Sequence, residues 1–331
     1  MKIYSKLGVG PMSSEIIEAV FRYSENKNEP LMLIASKNQI DWDRGYVNTW
    51  STNEYANYIS QLKKQYPRSK VYICRDHCGP GFKNDDLEDV YKTIDSDIAN
   101  GFDLIHIDFC HFKGNYQEIL AESKKAIEYI QKKNPNILIE IGTDENEGVF
   151  LDDIKKIEEE MEYFSKFSNL IFYVCQSGSL IKEINQVGDF NIEFLKKVRK
   201  LANKYNLFLK EHNADYLDAD SITLRKGLID AVNVAPQYGV IQTELTIQKA
   251  LTYGIDISKW LEQSYQSGKW GKWLHNNNKD NKFLCSVIAG HYNFSSDAYQ
   301  DIYKKINNYE DFRELIIEEV MNNLDIYLNN L

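Results

Sequence analysis

The 331 residues carry 43% hydrophobic and 27% charged side chains, ordinary globular proportions that exclude a short disordered or disulfide-stapled module. A formal charge of -10 at pH 7 gives the surface the sign of a phosphate backbone, which argues against sequence-independent nucleic-acid binding. No stretch approaches the roughly 18 consecutive apolar residues of a membrane helix, and the start, Met1-Lys2-Ile3-Tyr4-Ser5-Lys6, lacks the apolar run of a signal peptide, so the expectation is a cytoplasmic protein with no membrane partner.

A weak strand at residues 7–9 leads into a helix opened by Ser13-Ser14 ahead of Ile16, Ile17, Val20 and Phe21. Strands follow at 31–35 and 71–75, the second before a helix opened by Asp85-Asp86. Next come strands at 104–108 and 137–141, a helix opened by Asp152-Asp153, a strand at 170–176 and a helix opened by Asn191. Strands at 207–211 and 231–234 close the series. Most of the strands are continuous Val/Ile/Leu/Tyr/Phe runs, the kind buried on both faces of a parallel sheet. Each helix start offers an acceptor to unpaired amide groups.

About eight βα units in roughly 250 residues is the rhythm of a (β/α)8 TIM barrel. A doubly wound open sheet is the alternative, but Gly8-Val9-Gly10-Pro11 supplies only the first two glycines of a dinucleotide fingerprint. The barrel is expected over residues 1–254, with a C-terminal helical extension or lid over 255–331. In that extension Trp260, Trp270 and Trp273 read as packing residues, the polar run 275–282 (with Asn276 and Asn277) as an exposed loop, and 297–307 and 309–331 as amphipathic helices. The five cysteines are an odd number in a large chain and read as reduced core thiols; Cys74 and Cys78 have no second pair and do not make a zinc knuckle.

In a barrel the reactive residues sit where strands end, because the loops converge there on one mouth. The polar residues at those ends are Arg75-Asp76-His77, His106 and Asp108, Glu140, Gln176, Glu211-His212-Asn213 and Asn233. Asp76 and His77 alone fit a helix cap and a turn as well as a site. His212 at a later strand end, with Glu140 between, supplies a second imidazole and a carboxylate, a set that can hold a divalent metal. His106 shares the parity of Asp108 and reads either as a core histidine or as a site residue. His111 and His275 read as solvated, and His291 as a lid residue.

Asp76-His77-Cys78, Ile105-His106-Ile107-Asp108, Ile139-Glu140-Ile141-Gly142, His212 and Asn233-Val234-Ala235 resemble, in that order, the class II metal-dependent fructose- and tagatose-bisphosphate aldolases. The closer resemblance is to the GatZ/KbaZ-like subunit of tagatose-bisphosphate aldolase. It rests on the 30–39 segment with Gly45-Tyr46, on Asp76-His77-Cys78-Gly79-Pro80, Gln176-Ser177-Gly178, Asp215-Tyr216 and Tyr292-Asn293-Phe294-Ser295-Ser296-Asp297. The resemblance implies a divalent ion, zinc for imidazole ligands, holding the dihydroxyacetone-type end of a ketose and stabilising the enediolate left by carbon-carbon cleavage. It implies His77 and His212 as metal ligands, Glu140 as an accessory ligand or catalytic carboxylate, Asp76 as the proton shuttle and Asn233 as a substrate contact. Asn38, Gln39, Arg75, Asp108, Gln176 and Lys210 complete the candidate substrate contacts.

The chain departs from the aldolases proper at two places: Gln176 stands where they place a third histidine, and no glycine cradle follows His212 or Asn233. It departs from the GatZ/KbaZ-like branch where Ser296-Asp297 is followed by Ala298-Tyr299-Gln300 rather than arginines. The substrate implied is a sugar or sugar phosphate with fewer phosphates than a bisphosphate, with Lys37, Arg75 and Lys210 left to meet one anion. A lyase, a ketose 4-epimerase using the same cleavage and re-addition, and a non-catalytic stabilising subunit all stay open. So do a homo-oligomer and a paralogous aldolase subunit as partner.

Overall fold

The computed structural model describes residues 5–149, 153–275 and 278–331. Eight parallel strands close into a barrel: β1 (Leu7–Val9), β2 (Leu31–Ser36), β3 (Val71–Cys78), β4 (Leu104–Ile107), β5 (Leu138–Gly142), β6 (Leu170–Val174), β9 (Phe208–Glu211) and β10 (Ala231–Val234), with β1 sealing the ring against β10. A small antiparallel hairpin, β7 (Ile181–Lys182) and β8 (Asn185–Gln186), lies between β6 and β9; its strands are too short for periodicity to show. The fold is the (β/α)8 TIM barrel expected, with helices continuing past the last strand.

The expected helix starts are real caps. Ser13, Asp86, Asp153 and Asn191 accept backbone N–H groups of Ile16, Glu88, Lys156 and Phe194. Asp152 lies outside the described residues, as do Asn276 and Asn277 of the polar run. Two further helices, Thr52–Gln65 and Tyr116–Lys133, begin with full capping boxes, Ser51 with Glu54 and Asn115 with Glu118. Strand β3 runs three residues beyond the apolar pattern, because a register shift between Arg75 and Cys78 lets it go on pairing with β4.

Alternation along the strands sorts the barrel interior into layers. Met32, Ile34, Cys74, Leu104, Leu138, Phe172 and Ala231 form an apolar floor. Two residues further along β4 and β5, and further along β9, the inward positions turn polar: His106, Glu140 and Lys210 are all buried. Outward positions such as Leu33, Ile73, Ile105 and Ile139 join the main core under the helices. All five cysteines are free thiols, four of them buried.

Beyond the barrel the helices Ser258–Gln266, Lys282–Ala289, Asp297–Ile306 and Phe312–Asn330 follow. Phe312–Asn330 packs along the first helix, Ser14–Lys27, where Arg313 pairs with Glu18, Arg22 with Glu314, and the Tyr23 hydroxyl donates to Asp325 at 2.7 Å. Its Tyr327 hydroxyl donates to the carbonyl of Ala214, 2.7 Å away in the loop after β9. Among the described residues, no helix is long and apolar enough to cross a membrane.

Candidate metal centre

The polar layer carries three imidazoles. His77, His106 and His212 each place a ring nitrogen within 4.8 Å of the others, and Asp76, His106, Glu140 and His212 do the same. Asp76 is the hub: its carboxylate lies 3.8 Å from His77 Nε2, 3.6 Å from His106 Nδ1 and 3.8 Å from His212 Nε2.

His77 and His106 are each aimed by a partner on the far side of the ring, and His212 by one beside its inward nitrogen. His77 Nδ1 lies 2.7 Å from Asp108 Oδ2, which also accepts the Thr143 hydroxyl at 3.0 Å. His77 itself sits at φ 47, a left-handed backbone that a bulky side chain rarely adopts, and its own N–H points at His106 Nδ1, 3.2 Å away. His106 Nε2 lies 2.8 Å from the carbonyl of Gly142. That glycine has φ 92, and a Cβ there would come within 2.2 Å of the Val174 carbonyl, so no other residue can hold this acceptor in place. His212 Nε2 lies 3.0 Å from Glu140 Oε1, and Lys210 donates to the other Glu140 oxygen at 2.7 Å. Imidazoles backed by a carboxylate or a carbonyl are how metal-ligating histidines are held.

The electrostatics agree. Burial works against a charged His77, but Asp76 and Asp108 outweigh it and raise the ring to about 9. Burial alone would lift the Asp76 carboxyl; the charges of His77 and His212 and the bond with His106 hold it well below the usual range. Glu140 is drawn down to about 2 against its burial, chiefly by Lys210 and then His212. His212 is lowered by burial, against the opposing pull of Asp76 and Glu140. A concentration of carboxylates around imidazoles is what a divalent cation neutralises. The donor capacity is also unspent: His212 Nδ1 and both side-chain polar atoms of Asn233 are buried with no partner. Asn233 lies beside its register partner Gly8 on β1, where a Cβ would lie 2.3 Å from its Oδ1. The residues present fit a metal.

Not every expected residue reaches this centre. Arg75 points outward from β3, fully buried, with its guanidinium forked onto Asp97 at 2.6 and 2.7 Å and a third bond to the Ile40 carbonyl at 2.5 Å. Being flanked by Asp76 on the inward side, it had to face out. Lys37 is likewise buried against Asp89. Gln39 turns back to accept the Ser36 amide, and Asn38 donates to the Phe82 carbonyl. Gln176 is half-buried and lines a cavity of about 260 Å³ with Asp108, Gly142, Glu160 and Tyr173. Asp108 serves as the orienting carboxylate of His77. Conversely His106, ambiguous in sequence, belongs to the cluster; its inward parity with Asp108 was the available signal. Asp144, not singled out by sequence, is buried beside the centre and pushed up to about 7 by burial and by Glu211; it accepts the Ser179 hydroxyl, which also bonds the His212 carbonyl.

The family model for class II fructose-bisphosphate aldolase matches residues 7–255. The chain belongs to the class II fructose-bisphosphate aldolase family. Solved structures share the aldolase-family fold at low identity. A probable tagatose 6 phosphate kinase from Sinorhizobium meliloti superposes with a TM-score of 0.80 at 15% identity, over 99% of this chain and 100% of that one. The fructose-bisphosphate aldolase of Campylobacter jejuni gives 0.57 at 15% over 90% of each chain, and the YdjI aldolase of Escherichia coli 0.55 at 14% over 93% and 92%. The first superposition takes in the helices beyond residue 255 as well as the barrel.

Proposed function

We propose that this chain is a metal-dependent carbon-carbon lyase for a ketose or ketose monophosphate, working in the cytoplasm with residues 255–331 as a lid on the barrel. The observation that carries it is the convergence of three oriented imidazoles on the Asp76 carboxylate at a barrel mouth. His77, His106 and His212 would hold the ion, with Glu140 as an accessory oxygen; the all-imidazole set suits zinc. When bound, the ion supplies Lewis-acid stabilisation of negative charge developing on substrate oxygens.

The chain's own residues do the rest. Asp76, kept ionised by its imidazole neighbours, accepts the proton of the substrate hydroxyl whose carbon becomes the aldehyde, and returns it in the reverse direction. Asn233, among the described residues the one buried amide with both ends free, offers a donor and an acceptor to the substrate oxygens. Lys210 anchors Glu140, and so His212, in the buried layer.

A ketose 4-epimerase is the second reading, favoured by the way Tyr46, His291 and Tyr292 pack together over the rim, ring centroids 4.1 to 6.0 Å apart, where they would retain a cleaved aldehyde. The test is metal analysis followed by a screen of ketoses for released aldehyde, with a labelled aldehyde trap. Release identifies the lyase, retention with inversion the epimerase. Protein without metal, and without chelator-sensitive turnover, would leave only the stabilising-subunit reading.

A further inference from the structure

In (β/α)8 barrels a substrate phosphate commonly rests on the loops after the last two strands and on a helix N-terminus there. Here that place is taken. Asp215 Oδ1 accepts the amides of Ala235 at 3.0 Å and Gln237 at 2.8 Å, and Pro236 between them has no amide to give. The buried cations around the barrel are spoken for too: Lys37 by Asp89, Arg75 by Asp97, Lys210 by Glu140 and Arg225 by Glu211.

Two lysines in the extension are different. Neither Lys269 nor Lys272 has a carboxylate within ion-pair distance among the described residues, although acidic residues outnumber basic ones 49 to 39. Each side chain is exposed overall, while its ammonium is set in place by aromatic faces rather than by an acid. The Lys269 ammonium stands 5.3 Å from the ring centre of Tyr46 and 4.8 Å from that of Tyr292; that of Lys272 stands 4.3 Å from Trp273. A third cation adjoins them, since Lys182 of β7 donates to the Lys272 carbonyl at 3.3 Å. Burial lowers both lysines, Lys272 also through Lys269, and the pair helps hold the neighbouring His291 neutral after burial has done most of it.

The position is the mouth. Tyr46 belongs to the loop after β2, and Glu183 of the hairpin after β6 donates its amide to the Trp273 carbonyl. Tyr216, after β9, packs in the same small cluster as Trp273, while His291 lies against Gly239 in the helix after β10. Loops from four strand ends thus meet under two uncompensated ammonium groups.

We propose that Lys269 and Lys272, seated on Tyr46, Tyr292 and Trp273, bind the phosphate of a ketose monophosphate at the end of the sugar remote from the metal centre. This rests on the ketose reading above and sharpens it. An ammonium bound to a ring face keeps its N–H donors for phosphate oxygens. The sugar is then read from both ends, by the imidazole cluster at the bottom of the mouth and by the extension at its roof. A second phosphate, at the metal end, meets the Asp215 carboxyl instead of free amides.

The test is a binding ratio that needs no turnover. Hexitol 6-phosphates, made by reducing fructose and tagatose 6-phosphates, lack the ketone and cannot be cleaved. Calorimetry on the metal-loaded full chain should give the phosphorylated hexitols at least about tenfold tighter binding than the free hexitols. In Lys269→Gln/Lys272→Gln, whose folding is checked by its thermal transition and metal content, that ratio should fall towards one. Lys272→Glu should lower it further by repulsion. A ratio near one in the wild type, no measurable binding of the phosphorylated hexitols, or a ratio unchanged in the double variant would each overturn the proposal. Aldehyde release is scored separately. A phosphate preference without any aldehyde removes the lyase and leaves the anion site; aldehyde release without a phosphate preference does the reverse.

Discussion

Replacing His106 with Ala should cost the protein its ion, and Gln176→Ala should not. His106 turns Nδ1 towards the cluster, where the His77 N–H now occupies it at 3.2 Å and would give way to an ion, while Nε2 is fixed on the Gly142 carbonyl at 2.8 Å, so the ring is oriented before any ion arrives. Losing even an outer partner of a ligating histidine typically costs 10–100-fold in metal affinity, and loss of the preset ring itself should exceed the upper figure, about 2.7 kcal/mol or more. Gln176 lines the cavity with Asp108 and Gly142 and is not one of the three imidazoles, so its removal should change affinity by less than about threefold. The assay is competition against a chromogenic zinc chelator, with metal content measured after gel filtration. His106→Ala also empties a buried site, so thermal unfolding of the metal-free proteins separates a folding defect from a ligand defect. His106→Asn, which keeps a polar atom near the Nδ1 position, should recover part of the affinity. Full occupancy in His106→Ala together with metal loss in Gln176→Ala would refute the three-imidazole site.

Asp76→Asn keeps shape and polarity but cannot accept a proton, so turnover should fall by about a hundredfold or more while metal stays bound; near-normal rates would reduce Asp76 to a structural residue. Arg75→Ala strands Asp97 in a fully buried position and should destabilise the fold by about 3–5 kcal/mol, measured by denaturant unfolding. A mild stability change with a large rise in KM would instead return Arg75 to the substrate. Asp215 is pushed by burial from 3.8 to about 7, so its stabilising contribution is complete below its unfolded pKa and is lost as pH rises through about 7. Asp215→Asn still accepts the two amides but does not ionise, and its unfolding free energy should therefore gain on the wild type between pH 4 and 8; parallel profiles would contradict the assignment.

Strand runs and caps made the barrel legible because both are local: an apolar run of five residues and one acceptor before a helix suffice. The centre was legible where a strand ends in a charged residue, as at Asp76-His77 and His212. What stayed ambiguous depended on which way a side chain faces. Arg75 and Asp76 are neighbours in sequence but lie on opposite sides of the barrel wall, and a register shift just beyond Arg75 lies between the two faces. His106 joins the cluster for the same reason, as an inward strand residue, while Gln176 follows the end of β6 and lines the cavity with Asp108 and Gly142. Lys269 and Lys272 could not be singled out at all, since the absence of an acidic partner is a property of the folded rim, with Tyr46 and Tyr292 246 residues apart in the chain.

The hydroxyl of Tyr327 holds the carbonyl of Ala214, two residues past His212 and 113 residues upstream of the tyrosine. A ribosome therefore releases every candidate ligand long before it makes the residue that fixes the His212 loop. The brace on this loop is complete only once the helix Phe312–Asn330 has been made and docks on the first helix. The proposed ion site thereby reaches its final form late in the synthesis of the chain. A nascent or prematurely ended product would carry the imidazoles without the brace, and would be poor at sequestering scarce metal from finished molecules.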